Sequence, residues 1–467
     1  MVNAPIVPTE HMETLDFRNE VPQELADSLS AALNLKRIQL GVKGLSAALR
    51  LPDGSIWADA SGVSEENPEV PMTADHRLCM GSVSKTLIAA TVLDLYEEGL
   101  FSLDDNLSHF GLIYNNVDSN VTIRQLLQHR SGIYNYTGHP LFNPTLQSNP
   151  NIHFSLEQIV TQFVANPVFA PGASFSYSNT NYQLLALVIE SVTDSAFYEV
   201  VRARIIDPLQ LEQTFLPAEE GWQSPVGHIW LDTNGDQIVD DFHQVFTTWT
   251  ALLSAVAAPG GYFTTPSDLV EWIYQMHAGN LLEQTTIDEM HQTVTTNLPG
   301  GSRYGLGITR RSFLNNIAWG HGGDISYASQ AFYFPEKGIS IAVQDNDATA
   351  VSWDLDGTMR ALLQECMDYE AAHPTANEEL TPKTKLNLFP NPCKDYLNVD
   401  FDLMENVEWY TMFSILNSLG AVVQTGMLLP SSRQQSINTS ELVPGVYYLQ
   451  LESEGGRQLQ TFVKMGK

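Results

Sequence analysis

Two rhythms of apolar and polar residues run along this chain, and the places where one gives way to the other divide it. Over 22–35, apolar positions recur every three to four residues, which predicts an amphipathic helix. Apolar runs over 44–50 and 55–61, separated by Pro52-Asp53-Gly54, predict two strands joined by a turn. From Ser84 to about His277 the helical rhythm dominates, broken by loops rich in Gly, Pro and Asn. Strand patterns return at 304–308, 328–334 and 338–344, and a helix over 353–369 closes the region. Early strands that meet late strands around a central helical block predict a mixed α/β domain.

Between Glu370 and Lys385 no period survives, and Pro374, Pro382 and several charges predict a linker. Beyond it lie short apolar runs at 386–401, 410–416, 421–425, 446–452 and 458–463. Pro390-Asn391-Pro392, Gly420 and Pro444-Gly445 punctuate them, which predicts a small all-β sandwich. The expected organisation is a first domain over 1–370, a linker over 371–385 and a second domain over 386–467.

Composition sharpens this picture mainly by exclusion. At 467 residues the chain exceeds what one core usually serves, in keeping with two domains. Its 54 acidic against 23 basic side chains, a formal charge of −31, exclude a nucleic-acid partner and argue against anionic membrane. No run reaches the roughly 20 apolar residues of a membrane helix. Residues 1–20 are polar and acidic, without the basic-then-apolar layout of a signal peptide. Three cysteines, Cys79, Cys366 and Cys393, cannot build a disulfide framework, and none has metal-ligand spacing with another.

The candidate chemistry begins at Gly81-Ser82-Val83-Ser84-Lys85, the chain's single Ser-x-x-Lys. A helical pattern follows it, and positions i and i+3 share a helix face, so the lysine amine would stand one turn above the serine hydroxyl. Serine becomes a nucleophile when a neighbour takes its proton, and lysine can do so once burial or charge lowers its pKa. Tyr177-Ser178-Asn179 precedes a second helical pattern. A lysine ammonium nearby would ease ionisation of the Tyr177 phenol, and an asparagine amide suits a substrate amide. Tyr-x-Asn also occurs at Tyr114 and Tyr396, but only Tyr177 stands after a Pro-Gly turn at a helix start. His321-Gly322-Gly323 precedes a predicted strand, where glycines admit a close backbone approach. The amides of Ser82 and Asp324 could then form an oxyanion pair. His-x-Gly recurs at His109 and His277, so the motif carries weight only in combination.

Together the three motifs resemble the serine β-lactamase and penicillin-binding-protein superfamily. The segments 81–85, 125–134, 177–181 and 304–307 are most similar to its D-Ala-D-Ala carboxypeptidases and alkaline D-peptidases. Class C β-lactamases and β-lactamase-like carboxylesterases share the fold. The resemblance implies an antiparallel sheet flanked by helices plus an all-helical region. It further implies Ser82 as acylated nucleophile, Lys85 and Tyr177 as acid/base pair, and Asn179, His321, Gly322 and Gly323 as substrate-facing groups. No cofactor is implied, and the expected substrates are small peptides, amides or esters, with β-lactams as acylating agents. The alternatives are an esterase and a non-catalytic β-lactam- or peptidoglycan-binding protein.

Departures from the family pattern matter. Histidine replaces lysine in the third motif, which disfavours a dedicated β-lactamase. Where related carboxypeptidases hold a substrate carboxylate, this chain has Thr309, followed by Arg310 and Arg311, and Asp324. An aspartate there repels a carboxylate, so a free C-terminal acid is not expected to be required. Asp232, Asn234, Asp236 and Asp240 alternate like the start of a calcium loop, although the twelfth position is His243 rather than glutamate. An acidic Asn-Gly turn competes with Ca2+ binding as the reading. Leu388-Phe389-Pro390-Asn391-Pro392, 415–423 and 442–451 resemble the C-terminal sorting domain of the type IX secretion system. That resemblance implies export to the medium or surface of a Gram-negative bacterium by that machinery, with a leader peptide not present in this sequence.

Overall fold

The computed structural model describes residues 20–232, 234–242, 250–279, 281–299, 302–373, 386–401, 411–417, 422–428, 434–453 and 456–466. The chain separates into two compact units, Met1–Met367 and Asp368–Lys467. The linker expected over 371–385 falls mostly outside the described residues.

The first unit is built on a nine-stranded antiparallel sheet. The helix α1 (Gln23–Leu40) leads into strands β1 (Gly44–Arg50), β2 (Ile56–Glu66) and β3 (Glu69–Pro71). A second group follows the helical block: β8 (Val294–Thr295), β9 (Arg303–Tyr304), β10 (Thr309–Phe313), β11 (Asn316–Asp324), β12 (Ala328–Phe334) and β13 (Ile339–Asp345). Four short strands between these groups, β4 (Leu78–Cys79), β5 (Trp230–Leu231), β6 (Asp240–Asp241) and β7 (Phe263–Thr264), pair as β4 with β7 and β5 with β6. In the large sheet β1 joins β13, with Leu45 opposite Asp345 and Arg50 opposite Ser340, so the first and last strands close the structure. Every residue of β12 and β13 is buried. They read as continuous apolar runs because helices cover both faces of the sheet centre.

Expectation and structure differ in informative places. The first helix runs five residues beyond the predicted end at 35, to Leu40. The strand predicted at 304–308 is only Arg303–Tyr304, because Gly305 and Gly307 (φ +82°) turn the chain before Ile308. Strands β10 and β11 carry no simple alternation. Thr309-Arg310-Arg311 is polar and β11 holds three glycines. Arg311 is nevertheless buried, paired with Asp356 and set 4.3 Å from the Trp353 ring.

Between the sheet's two halves lies the helical region. Its central helix α2 (Ser84–Glu97) buries eleven of fourteen residues, hence its nearly unbroken apolar sequence. The helices Thr180–Thr193 and Ala257–Gly260 pack against it, within one core that also takes in Leu126, Leu127, Tyr182, Leu185 and Trp272.

The second unit holds two antiparallel sheets, β14-β15-β18 and β17-β16-β19-β20. Their strands are β14 (Leu386–Phe389), β15 (Tyr396–Phe401), β16 (Thr411–Asn417), β17 (Val422–Leu428), β18 (Gln434–Asn438), β19 (Gly445–Ser453) and β20 (Gly456–Lys464). Leu397, Val399 and Ile437 from one sheet share a core with Phe413, Ile415, Leu449 and Phe462 from the other. The single run predicted over 386–401 is broken by Pro390 and Pro392, which cannot donate to a ladder. All three cysteines are buried free thiols.

Candidate active site

The nucleophile segment is fixed from both ends. Strand β4 brings the chain to Met80, whose N–H donates to the Tyr262 carbonyl at 2.9 Å. Gly81 then adopts φ +50°, a conformation that favours glycine. A short turn, Gly81–Val83, runs directly into α2. Ser82 is half-buried at this junction, with Lys85 one turn on, as i, i+3 spacing requires.

Lys85 has no exposed surface, and its Nζ lies 2.9 Å from Ser82 Oγ and 2.7 Å from the Pro259 carbonyl. Burial holds its pKa well below the ordinary lysine range, and no carboxylate acts to restore it. The ring of Tyr177 stands 5.0 Å from Lys85 Nζ. Its hydroxyl is buried without a hydrogen-bond partner of good geometry. Burial pushes the Tyr177 pKa well above the ordinary tyrosine value; Ser82 opposes this, while Tyr182 and Asp324 add to it.

An ammonium–phenolate pair and an amine–phenol pair hold the same protons. Desolvating each ion costs several kcal/mol, and burial is the leading cause that both lowers the Lys85 pKa and raises that of Tyr177. The neutral pair wins. The sequence-based idea that the Lys85 charge eases Tyr177 ionisation is therefore outweighed by burial.

The backbone of β11 approaches the nucleophile closely. A Cβ on Gly323 would lie 2.1 Å from the Met80 carbonyl and 2.7 Å from Ser82 N, and one on Gly81 would lie 2.7 Å from Asp324 N. Two glycines thus bring the amides of Ser82 and Asp324 together beside Ser82 Oγ. Ser329, whose Oγ donates to the Met80 carbonyl at 2.7 Å, pins the contact from β12.

The other expected substrate-facing groups fare unevenly. Asn179 is half-buried at the start of the helix Thr180–Thr193, with Nδ2 3.4 Å from Thr137 Oγ1. Gly322 packs near Ser352, where a Cβ would meet Ser352 Oγ at 3.0 Å. Two of them are buried and hydrogen-bonded within the protein. His321 is only 4% exposed and both ring nitrogens are engaged, Nε2 with Tyr304 Oη at 2.9 Å and Nδ1 with the Gly322 carbonyl at 2.5 Å. It offers no free nitrogen to a substrate. Thr309 is also buried, and its hydroxyl donates to the Gly320 carbonyl at 2.9 Å, inside the sheet. Asp324 accepts from Ser352 N–H and from Ser352 Oγ at 2.8 Å, and burial raises its pKa.

Sequence reasoning assigned no role to His129 or Tyr304, although both stand in segments that carried the likeness. The His129 ring lies 4.1 Å from that of Tyr177 and its Nε2 lies 3.2 Å from Tyr304 Oη. Their signal was position within a motif; their burial was not legible.

The acidic turn spends its oxygens on its own backbone. Asp232 accepts from Gly235 N–H at 2.6 Å and Gln237 N–H at 2.9 Å, while Asn234 and Asp236 each accept an N–H two residues on. Asp240 begins at β6, outside that turn. Among the described residues no group of three or more His, Cys, Asp or Glu could hold a metal ion. No described helix is long and apolar enough to cross a membrane.

Residues 23–364 match the beta-lactamase family, and residues 387–465 match the secretion system C-terminal sorting domain. Protein flp of Staphylococcus aureus (strain MW2) is 24% identical over 314 residues, covering 64% of this chain and 59% of that protein. Penicillin-binding protein 4* of Bacillus subtilis (strain 168) is 23% identical, covering 54% of this chain and 56% of that protein. The matched part thus spans less than two thirds of either relative's length. Among solved structures, a D-stereospecific amidohydrolase from Streptomyces sp. superposes with a TM-score of 0.62 at 28% identity, covering 73% of this chain and 97% of that one. D-amino acid amidase from Ochrobactrum anthropi SV3, complexed with L-phenylalanine amide, superposes with a TM-score of 0.65 at 23% identity, covering 74% and 99%.

Proposed function

The chain belongs to the beta-lactamase family of serine hydrolases, and from that premise we propose that it cleaves amide bonds of D-amino acid amides and short D-residue peptides through an acyl-enzyme on Ser82. The observation that carries this reading is Lys85 Nζ, buried without a counter-ion 2.9 Å from Ser82 Oγ. A lysine so placed is an amine able to accept a proton. Lys85 takes the Ser82 proton as Oγ attacks the substrate carbonyl carbon, and the negative oxygen is met by the amides of Ser82 and Asp324. The Tyr177 phenol donates its proton to the leaving nitrogen as the C–N bond breaks, and the proton on Lys85 replaces it. Water then attacks the ester by the reverse route and releases the acid.

Two features favour an amide over a free C-terminal acid as the preferred end group. The Thr309 hydroxyl is occupied by Gly320, and the Asp324 carboxylate stands beside the reacting centre, where it repels a substrate carboxylate. The names of two structural neighbours, a D-stereospecific amidohydrolase and a D-amino acid amidase, agree with that chemistry.

The sorting domain marks the chain for secretion to the cell surface or beyond. We take its route to be the type IX machinery of a Gram-negative bacterium, with residues 387–465 as address rather than catalyst. Paired assays test the substrate reading. D-Ala-D-Ala peptides with free and amidated C-termini, D- and L-phenylalanine amide, and short acyl esters would be compared by kcat/KM. Preference for D-amides with no demand for a free acid supports it. A strong preference for the free acid, or for esters over every amide, overturns it.

A further inference from the structure

The hydrogen bonds behind Tyr177 run in one direction. Ser178 N–H can only donate, so Nδ1 of His129, 3.1 Å away, accepts and carries no proton. Asn181 Nδ2, at 3.3 Å from the same nitrogen, is a second donor facing it. His129 therefore bears its proton on Nε2, which points to Tyr304 Oη. The phenol donates onward to His321 Nε2, and His321 keeps its proton on Nδ1 against the Gly322 carbonyl, which can only accept. One arrangement of protons satisfies every contact, and in it both imidazoles are neutral. Burial acts the same way, and a proton on Lys85 would add to it, holding His129 well below the usual histidine range and His321 down to about 3.

His129 also occupies a backbone conformation that its side chain disfavours, φ +55° with no exposed surface. The chain of donors ties four elements together: the loop after the helix Ile123–Leu127, the segment before the helix Thr180–Thr193, strand β9 and strand β11. Tyr177 comes from the helical side and the Asp324 amide from the sheet side.

We propose that Tyr304 is a positioning residue of this site: its hydroxyl, backed by His129, locks His321 as the neutral Nδ1–H tautomer and thereby holds the sheet strand bearing the oxyanion amide against the segment bearing Tyr177. The groups facing His321 are Lys85 from α2, Tyr177 and His129 from the helical region and Tyr304 from β9. A proton gained by His321 would place a buried positive charge beside the Lys85 amine and reverse the bond from Tyr304. The acyl-enzyme reading is needed only for the kinetic part of the test.

The full-length protein labelled with 15N-histidine would be followed by NMR between about pH 5 and pH 9, with His321→Gln and His129→Gln used for assignment. The expected spectrum has both rings neutral throughout, His321 protonated on Nδ1 and His129 on Nε2. In Tyr304→Phe, which removes only the hydroxyl, the His321 pKa rises and its neutral ring divides between the two tautomers, because the bond that fixed Nε2 as acceptor is gone. Acylation of Ser82 by a fluorescent penicillin or a p-nitrophenyl ester slows about 10-fold, its acid limb moves to higher pH, and probe affinity changes less than about twofold. A wild-type His321 that titrates near the usual 6.5 or shows the Nε2–H tautomer overturns the proposal, even if the variant fails to fold. Wild-type spectra and an unshifted pH profile in Tyr304→Phe overturn it as well. Failure of every probe to acylate the wild type would count against the reading of function and leave the tautomers to decide this one.

Discussion

At the scale of single residues, one amine does what the sequence could only suggest. Lys85 sits where burial decides its protonation, so kcat/KM should rise through a pKa below the ordinary lysine value of about 10.4. Tyr177 must stay protonated to serve as acid, and its pKa is raised, so the alkaline fall should come above the ordinary tyrosine range. A pH–rate profile checks both limbs. Ser82→Ala should leave no acyl adduct by mass spectrometry after exposure to substrate. Lys85→Ala should lower kcat/KM about 10^3-fold and Tyr177→Phe about 10^2-fold, within the span that general acid–base groups contribute. The same burial has a cost in stability. The unfolded chain binds a proton at position 85 that the folded one sheds, so below about pH 10 folding releases it and stability falls as pH falls. Lys85→Met, inactive, should therefore melt at least about 2 °C higher than wild type at neutral pH, and the gain should shrink toward pH 10. Calorimetry of the two proteins would decide it.

At the scale of elements, the glycines of β11 set the geometry of the site. Gly323→Ala would drive a methyl into the Met80 carbonyl and Ser82 N, both backbone and neither able to swing aside. The expected outcome is loss of acylation with a destabilisation of about 1–3 kcal/mol, read by denaturant titration beside a penicillin-binding assay. These elements also mark how far sequence reading went. The placing of Lys85 over Ser82 was legible because helical spacing alone dictates it. The helix after Tyr177 and the buried runs of β12 and β13 were legible because their periodicity is unmixed. Strand β10 was not, since Arg311 earns its buried place from Asp356 and the Trp353 ring rather than from apolarity. Nor was β11, because three glycines weaken any strand signal. The burial of His321 and Thr309 was hidden for a related reason. A motif names a residue's position in the chain, whereas the partners that consume its polar atoms, Tyr304 and Gly320, come from other strands.

At the scale of the whole molecule, chemistry and address are separable. Every candidate catalytic group lies in the unit Met1–Met367, and the sorting match lies within Asp368–Lys467. Protein ending at 373 should keep kcat/KM within about twofold of the full chain while losing export, measured by assaying culture supernatant against cell lysate. Activity is meanwhile distributed across the first unit. The two amides proposed to form the oxyanion site come from Ser82 and Asp324, far apart in the sequence, and the close packing of Gly81 and Gly323 brings them together. A chain in which β11 has not docked on the nucleophile segment therefore has Ser82 and Lys85 one turn apart without the second amide beside them.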